Sequence, residues 1–117
     1  MLFFHPLEEM SLKHQIELFV LIAITRLEDD AYGVTIRDEI ERVTTRPVSM
    51  GGVYNALDRL EREGLIKPFY SEPRAERGGR ARRHYALTTT GRDTVLRERM
   101  LSQRLWQGLP ATEGRRR

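Results

Sequence analysis

The sequence of 117 residues predicts a small, mainly α-helical domain that carries one β-hairpin. Three observations predict this class. Segments with helical spacing of apolar residues fill the first half, two short segments rich in β-branched and aromatic residues flank a Gly-Gly pair, and one more amphipathic segment follows. With 39% hydrophobic and 32% charged residues, the chain can form one small core, and chains of this size often dimerise to bury more surface.

The first two helices are predicted at about residues 7–26 and 32–44, with the polar break LEDDAYG between them. The centre of the first helix is apolar on almost every side, which indicates burial against more than one neighbour. In the second helix, Val34, Ile36 and Ile40 are expected to face inward.

The third helix is predicted to follow the N-cap candidate Ser49 and to end at Gly64, which suits the left-handed position after a helix. Its apolar stripe consists of Val53, Ala56, Leu57 and Leu60. Two adjacent glycines, Gly51 and Gly52, occupy its first turn, although only proline weakens a helix more than glycine does. A helix that is weakened where it starts needs a reason.

A hairpin and a last helix complete the predicted elements. LIKPFYS and RRHYALT are the expected strands, joined by a long basic tip, and Thr88 is the N-cap candidate of a helix at about residues 89–107. The apolar residues of this helix lie on two of its sides and include Val95, Leu96, Met100, Leu101, Leu105 and Trp106. Because this is more apolar surface than one side of a helix can bury, a second copy of the chain is the expected partner.

Three helices followed by a two-stranded hairpin form the layout of a winged helix-turn-helix, whose third helix enters the DNA major groove. We therefore predict a winged helix-turn-helix domain at residues 1–90, with its wing at about 65–88. A dimerisation helix at 91–108 and a flexible basic tail at 109–117 follow.

The positive charge is concentrated in the wing. Residues 1–64 carry 7 basic and 12 acidic side chains, whereas residues 65–92 carry 7 basic and 2 acidic ones. Five arginines and one glutamate occupy residues 74–83. This asymmetry indicates an anionic partner, most often nucleic acid, and a solvated or disordered basic loop is the alternative.

The third helix carries groups suited to DNA. Ser49 and the free N–H groups of the first turn can donate to phosphate at the positive end of the helix dipole. Tyr54 offers a phenol for phosphate or sugar, whereas Asn55 and Arg59 can contact base edges. The alternative is an ordinary surface helix with a solvated polar face.

Other function classes have little support. The chain has no cysteine, which excludes disulfides and zinc sites built on sulfur, and its three histidines lack metal-ligand spacing. The glycines at 78–79 lack the lysine and hydroxyl residue of a phosphate-binding loop. No apolar run approaches the ~20 residues that span a bilayer. We expect no enzyme, no metal, no cofactor, no membrane segment and a cytoplasmic location.

Three stretches make the sequence similar to the PadR family of transcriptional regulators, in its short form with one C-terminal helix. They are AYGVTIRDEI, VSMGGVYNALDRLEREGLI and GGRARRHYALTTTG, and the similarity covers about residues 18–96. The resemblance implies a homodimeric repressor that binds double-stranded DNA at a near-palindromic operator. A winged-helix module whose basic wing binds an acidic protein is the alternative function.

The resemblance completes the set of expected contacts. The DNA-contacting residues of the third helix are predicted to be Ser49, Gly51, Gly52, Tyr54, Asn55 and Arg59. Those of the wing are Arg77, Arg80, Arg82, Arg83 and Tyr85. The dimerisation residues are Leu96, Met100, Leu101, Leu105 and Trp106. Gly52 and Asn55 differ from many relatives, which have threonine or alanine and proline there, so base preference cannot be copied.

A small aromatic effector is a further implication of the resemblance. Some members of the family bind planar aromatic compounds near the dimer interface, where a tryptophan of the last helix takes part. Trp106 lies further along that helix than expected for this role. The alternative for Trp106 is an ordinary interface or core tryptophan.

Overall fold

The structure is a computed structural model that describes residues 4–71 and 82–110, with only the backbone for residues 4–13. Its elements in chain order are α1 (Phe4–Leu27), α2 (Gly33–Thr44), α3 (Met50–Arg62), β1 (Ile66–Tyr70), β2 (Arg83–Leu87) and α4 (Thr89–Trp106). A 3-10 turn at Glu28–Asp30 joins α1 to α2. The predicted fold class is confirmed. Helix α1 begins at Phe4 and so includes Pro6 in its first turn, where a missing N–H group costs no helical hydrogen bond.

Helices α1, α2 and α3 pack around one core that the hairpin closes. The largest fully buried side chains are Val20, Ile36, Val53, Leu57, Leu60 and Ile66. The predicted apolar stripe of α3 is buried in full. The prediction for Val34 is wrong, because its side chain is 43% exposed while Ile36 and Ile40 face the core. Two residues along a helix is about 200°, so Val34 and Ile36 cannot share one face.

Glu39 of α2 holds α1 and α2 together at the surface. Its carboxylate accepts hydrogen bonds from Arg42 Nη2 and Arg26 Nε, each at 2.7 Å. The hydrogen bonds from Arg42 and Arg26 favour the charged form and lower the pKa of Glu39 to about 2. The pair with Arg26 crosses between helices, whereas the pair with Arg42 lies within α2.

Both ends of α3 have the predicted geometry. The Ser49 side chain accepts a hydrogen bond of 3.0 Å from the Gly52 N–H group, which makes Ser49 the N-cap. At the other end Gly64 has a φ of +78°, and the Leu65 N–H group donates to the Leu60 carbonyl at 3.0 Å. The chain therefore reverses directly from α3 into β1.

The hairpin is antiparallel and is anchored at its base. Its register runs from the pair Ile66–Leu87 to the pair Tyr70–Arg83. The Tyr85 N–H group donates to the Ala31 carbonyl at 2.9 Å, and an isolated bridge joins Tyr32 to His84. The connection between α1 and α2 thus fixes β2 against the helices.

Helix α4 starts in a tight joint with the turn after α3. The Thr88 side chain caps α4 by accepting from the Gly91 N–H group at 3.0 Å, and its hydroxyl donates to the Gly64 carbonyl at 2.7 Å. A Cβ on Gly91 would lie 1.9 Å from the Leu65 carbonyl oxygen, so only glycine permits this approach. Val95 still packs against the core, and from Leu96 onward α4 leaves it.

From Leu96 to Trp106, α4 is exposed in the single chain. Gly91 is its one buried residue, and Leu105 and Trp106 are 79% and 60% exposed. The molecule is accordingly elongated, at 61 × 35 × 28 Å. Among the described residues, no helix combines the length and apolarity that crossing a membrane requires.

Candidate nucleic-acid interface

One stripe of α3 points directly away from the core. At about 100° per residue, Gly51, Asn55, Asp58 and Arg62 fall on the side opposite the buried stripe. All four are exposed. Asp58 accepts a hydrogen bond from Arg62 Nη1 at 3.2 Å, so the one acidic group of this stripe is paired with a cation one turn later. The face that a groove would meet is therefore polar and close to neutral.

The N-terminal turn of α3 is bare. An added Cβ on Gly51 would meet no described heavy atom within 4 Å, whereas one on Gly52 would lie 3.1 Å from Ser49 Oγ. Ser49 Oγ and the Ser49 carbonyl already accept from the N–H groups of Gly52 and Val53. Within the described residues, the N–H groups of Met50 and Gly51 donate to no protein acceptor. They stay available for an anion at the positive end of the helix dipole.

Tyr54 is held by a residue that the sequence analysis did not select. Its ring lies across the start of α2, where a Cβ on Gly33 would come within 2.5 Å of the Tyr54 hydroxyl oxygen. Half of the Tyr54 side chain remains exposed. Gly33 therefore provides the space in which the ring lies. The glycine of the AYG stretch is the sequence signal that could have identified it.

Arg59 has a partner on α1 in the single chain. Its Nε donates to a carboxylate oxygen of Glu17 on α1, and both side chains are largely covered. Arg59 lies to one side of the outermost stripe of α3, next to α1. In the single chain this contact ties α3 to α1.

Arg83 joins the wing to α3. Its guanidinium donates to the Tyr85 hydroxyl at 2.9 Å, to the Tyr70 hydroxyl at 2.6 Å and to both carboxylate oxygens of Glu61 at 2.8 and 3.0 Å. The hydrogen bonds from Arg83 to Tyr85, Glu61 and Tyr70 raise the pKa of Arg83 above its ordinary value. Arg83 thus uses most of its donors within the chain and joins the hairpin to α3.

Tyr85 is buried in the single chain. Its side chain is only 6% exposed. The residue belongs to the core, and its hydroxyl orients Arg83. Alternation along a strand places residues 83 and 85 on one face, which is a sequence signal for this contact. The partner Glu61, from the last part of α3, gives no such signal.

Arg82 lies on the opposite face of β2 from Arg83. Its guanidinium carbon is 4.6 Å from the centroid of the Tyr32 ring, a cation–π distance. Beneath it, the buried His84 ring stacks on Phe69 and meets Tyr32 edge to face, both at 5.2 Å. The Arg82 side chain is exposed at the end of β2 that leads to the wing tip. Arg77 and Arg80 lie outside the described residues.

Two further surfaces are apolar. An open depression on α4 is lined by Met100, Gln103, Arg104, Trp106 and Gln107. A groove of about 150 Å³ between α1 and α2 includes Phe19, Ile22 and Val43. In the part of the chain that the structure describes, no three histidine or acidic side chains are close enough together to hold a metal ion.

The chain is similar to known regulators. The model of the family described as Transcriptional regulator PadR-like family matches residues 20–97. No curated protein matches the chain. A PadR-like transcription factor from Bacteroides fragilis superposes with a TM-score of 0.72 at 21% identity, covering 86% of this chain and 91% of that one.

Two further structures share the fold. A PadR family transcription regulator from Clostridium difficile R20291 gives a TM-score of 0.63 at 29% identity, covering 77% of this chain and 88% of that chain. RosR of H. salinarum gives 0.62 at 25% identity, covering 81% and 78% respectively. The match therefore extends over most of each of these regulators.

Proposed function

Since the chain belongs to the PadR-like family of transcriptional regulators, we propose that it binds a specific, near-palindromic DNA operator as a homodimer and acts as a repressor. The observation that carries the proposal is the outer stripe of α3, exposed along its whole length beside a wing that Arg83 fixes to the same helix. The proposed domains are those predicted from the sequence: a winged helix-turn-helix at residues 1–90, a dimerisation helix at 91–108 and a basic tail at 109–117.

The geometry of α3 suits a major groove. A helix of about 10–12 Å diameter fits the groove, which is about 12 Å wide. Gly51 presents backbone and no side chain at the end of α3 where free N–H groups can meet a phosphate. The bare first turn, which weakens the helix, therefore serves close approach. Phosphate contacts of this kind fix position and carry no sequence information.

The wing supplies a second, sequence-independent grip. Arg82 is exposed and is not tied to an acidic group within the described residues, and five arginines lie between residues 74 and 83. Arg83 acts indirectly, because its contacts to Tyr70 and Glu61 set the angle between the hairpin and α3. The wing and α3 can then contact the same duplex.

Dimerisation is proposed through α4. Leu96, Met100, Leu101, Leu105 and Trp106 are all exposed in the single chain, and burying one such side chain is worth roughly 1.5–3 kcal/mol. Pairing of two α4 helices would cover them. Two copies of α3 would then meet half-sites about 34 Å apart, which is the spacing of successive major grooves. Occupation of a promoter by such a dimer would exclude other proteins and cause repression.

Selection of bound duplexes from a random library tests the proposal. We expect a two-fold symmetric consensus, and a gel shift in which the enriched duplex binds more tightly than random duplexes and all binding weakens as salt rises. Absence of any preferred duplex, together with affinity that does not fall with salt, would contradict DNA binding. An acidic protein partner for the wing would then be the function to test.

The wing is tested separately. Replacing Arg80 and Arg82 with alanine is expected to weaken binding to every duplex and to flatten the dependence of log K on log salt by about one unit per lost phosphate contact. Arg83→Ala serves as the comparison. Because Arg83 joins the hairpin to α3, its loss should also change the position of the wing. An unchanged salt slope in the double variant would remove the wing from the mechanism.

The effector rests on the resemblance alone. Trp106 is the single tryptophan of the chain, so its fluorescence reports on this site without interference. A planar aromatic compound that binds there should quench the emission and change operator affinity. Quenching without any change in affinity would show binding that does not regulate, and absence of quenching would leave Trp106 as an interface residue only.

A further inference from the structure

Asn55 is the first side chain that a groove would meet on α3. It lies on the outermost stripe, between Gly51, which has no side chain, and Asp58. Apart from its chain neighbours and the backbone of α3, no described atom lies within 4 Å of a Cβ built on Gly51, so the space one turn before Asn55 is open. A duplex that approaches the bare first turn would therefore bring its base edges to the Asn55 amide.

The charged side chains Arg59, Asp58 and Arg62 of α3 are already paired. Arg59 is bound to Glu17, and Asp58 is paired with Arg62. The Tyr54 ring lies against Gly33. By contrast, Asn55 is exposed, and its amide makes no hydrogen bond with the described residues of the chain. Asn55 therefore reaches the groove with its full hydrogen-bonding capacity.

The chemistry of the amide selects one base. A carboxamide presents a donor and an acceptor side by side, and adenine offers the matching acceptor N7 and donor N6 in the major groove. Guanine offers two acceptors there, while cytosine and thymine do not offer such a matched pair. We propose that Asn55 reads an adenine in each half-site and is the main direct determinant of operator sequence. This inference rests on the proposed function as a DNA-binding regulator.

Selection with three proteins tests the proposal. The unaltered chain is expected to select an operator with one adenine per half-site that it prefers by about 5- to 150-fold over other bases. Asn55→Ala should lose that preference and keep the remaining consensus. Asn55→Asp, which offers acceptors only, should also lose the adenine and favour a cytosine, whose N4 group donates. Asn55→Ala is exposed and improves helix propensity, so the variant should fold.

A modified base identifies the contact itself. Replacing the selected adenine by 7-deazaadenine removes N7 and leaves pairing with thymine intact. The unaltered chain should lose about fivefold in affinity, whereas Asn55→Ala should bind both duplexes equally. Gln15→Ala, which removes an exposed amide from α1, is the matched control and should respond to the modified base like the unaltered chain.

The failures are distinguishable. If the unaltered chain selects no sequence, the proposed function itself is refuted. If it selects an operator but Asn55→Ala retains every base preference, sequence-specific binding stands and the role of Asn55 is refuted. An equal response of Asn55→Ala and the unaltered chain to 7-deazaadenine would also refute it.

Discussion

Replacing Gly51 with alanine is expected to make the protein more stable and a weaker DNA binder. The site has open space around a new Cβ, and Gly51 has no positive φ, so alanine fits the backbone without strain. Alanine restricts the unfolded chain more than glycine does and favours the helix. The same methyl group would stand between the first turn of α3 and a phosphate.

The two effects have different magnitudes. The gain in the free energy of unfolding should be about 0.5–1 kcal/mol, which corresponds to about 2–8 °C in Tm for a domain of this size. A hydrogen bond to a charged group contributes about 1.5–3 kcal/mol, so its loss should weaken operator binding by about tenfold or more. The cost to binding therefore exceeds the gain in stability.

Thermal unfolding at a fixed protein concentration and titration of the selected operator measure the two effects. Gly52→Ala is the matched control, because its Cβ would lie 3.1 Å from Ser49 Oγ and disturb the N-cap, so its gain in stability should be smaller. A Gly51→Ala variant that binds its operator as tightly as the unaltered chain would refute the close approach of a phosphate to the first turn of α3. A fall in its Tm would refute the open-space argument.

Three other changes test the joint of α4, the dimer and the surface carboxylate. Gly91→Ala should lower the free energy of unfolding by about 3 kcal/mol or more in urea titrations, because the new Cβ overlaps the Leu65 carbonyl oxygen. A loss below about 1 kcal/mol would contradict the close packing of Gly91 against Leu65. Replacing Leu101 and Leu105 with glutamate should give monomers in sedimentation, and a persistent dimer would refute α4 pairing. Because the pKa of Glu39 is lowered to about 2, its stabilising contribution is present above pH ~4.5 and is lost as the pH falls towards 2. The free energy of unfolding of Glu39→Gln should therefore fall less between pH 5 and pH 2 than that of the unaltered chain. An unchanged pH profile would show that this carboxylate does not contribute to the acid sensitivity.

The fold was largely predictable because its signals are local. The spacing of Val53, Leu57 and Leu60 identifies the buried side of α3. Ser49 and Gly64 mark its ends, since capping and a left-handed turn depend on residues within one helical turn. Val34 was misassigned because an apolar side chain near a helix start does not by itself define which side the other elements cover.

The candidate site was predictable only in outline. The basic wing and the polar side of α3 could be identified, yet three of the assigned residues have other partners. Arg59 bonds to Glu17 42 positions away, and Arg83 bonds to Glu61 22 positions away. Charge is visible in a sequence, but whether a partner from another element already binds it depends on packing.

The sequence by itself determined the class, the order of elements, the capping of α3 and α4, and the family. Tertiary structure decided which polar groups remain available. Packing of α1 against α3 engages Arg59, closure of the hairpin buries Tyr85, and the space beside Gly33 holds Tyr54. The physical reason is that caps and periodicity act over one or two turns, whereas the pairing of a side chain depends on residues that only folding brings together.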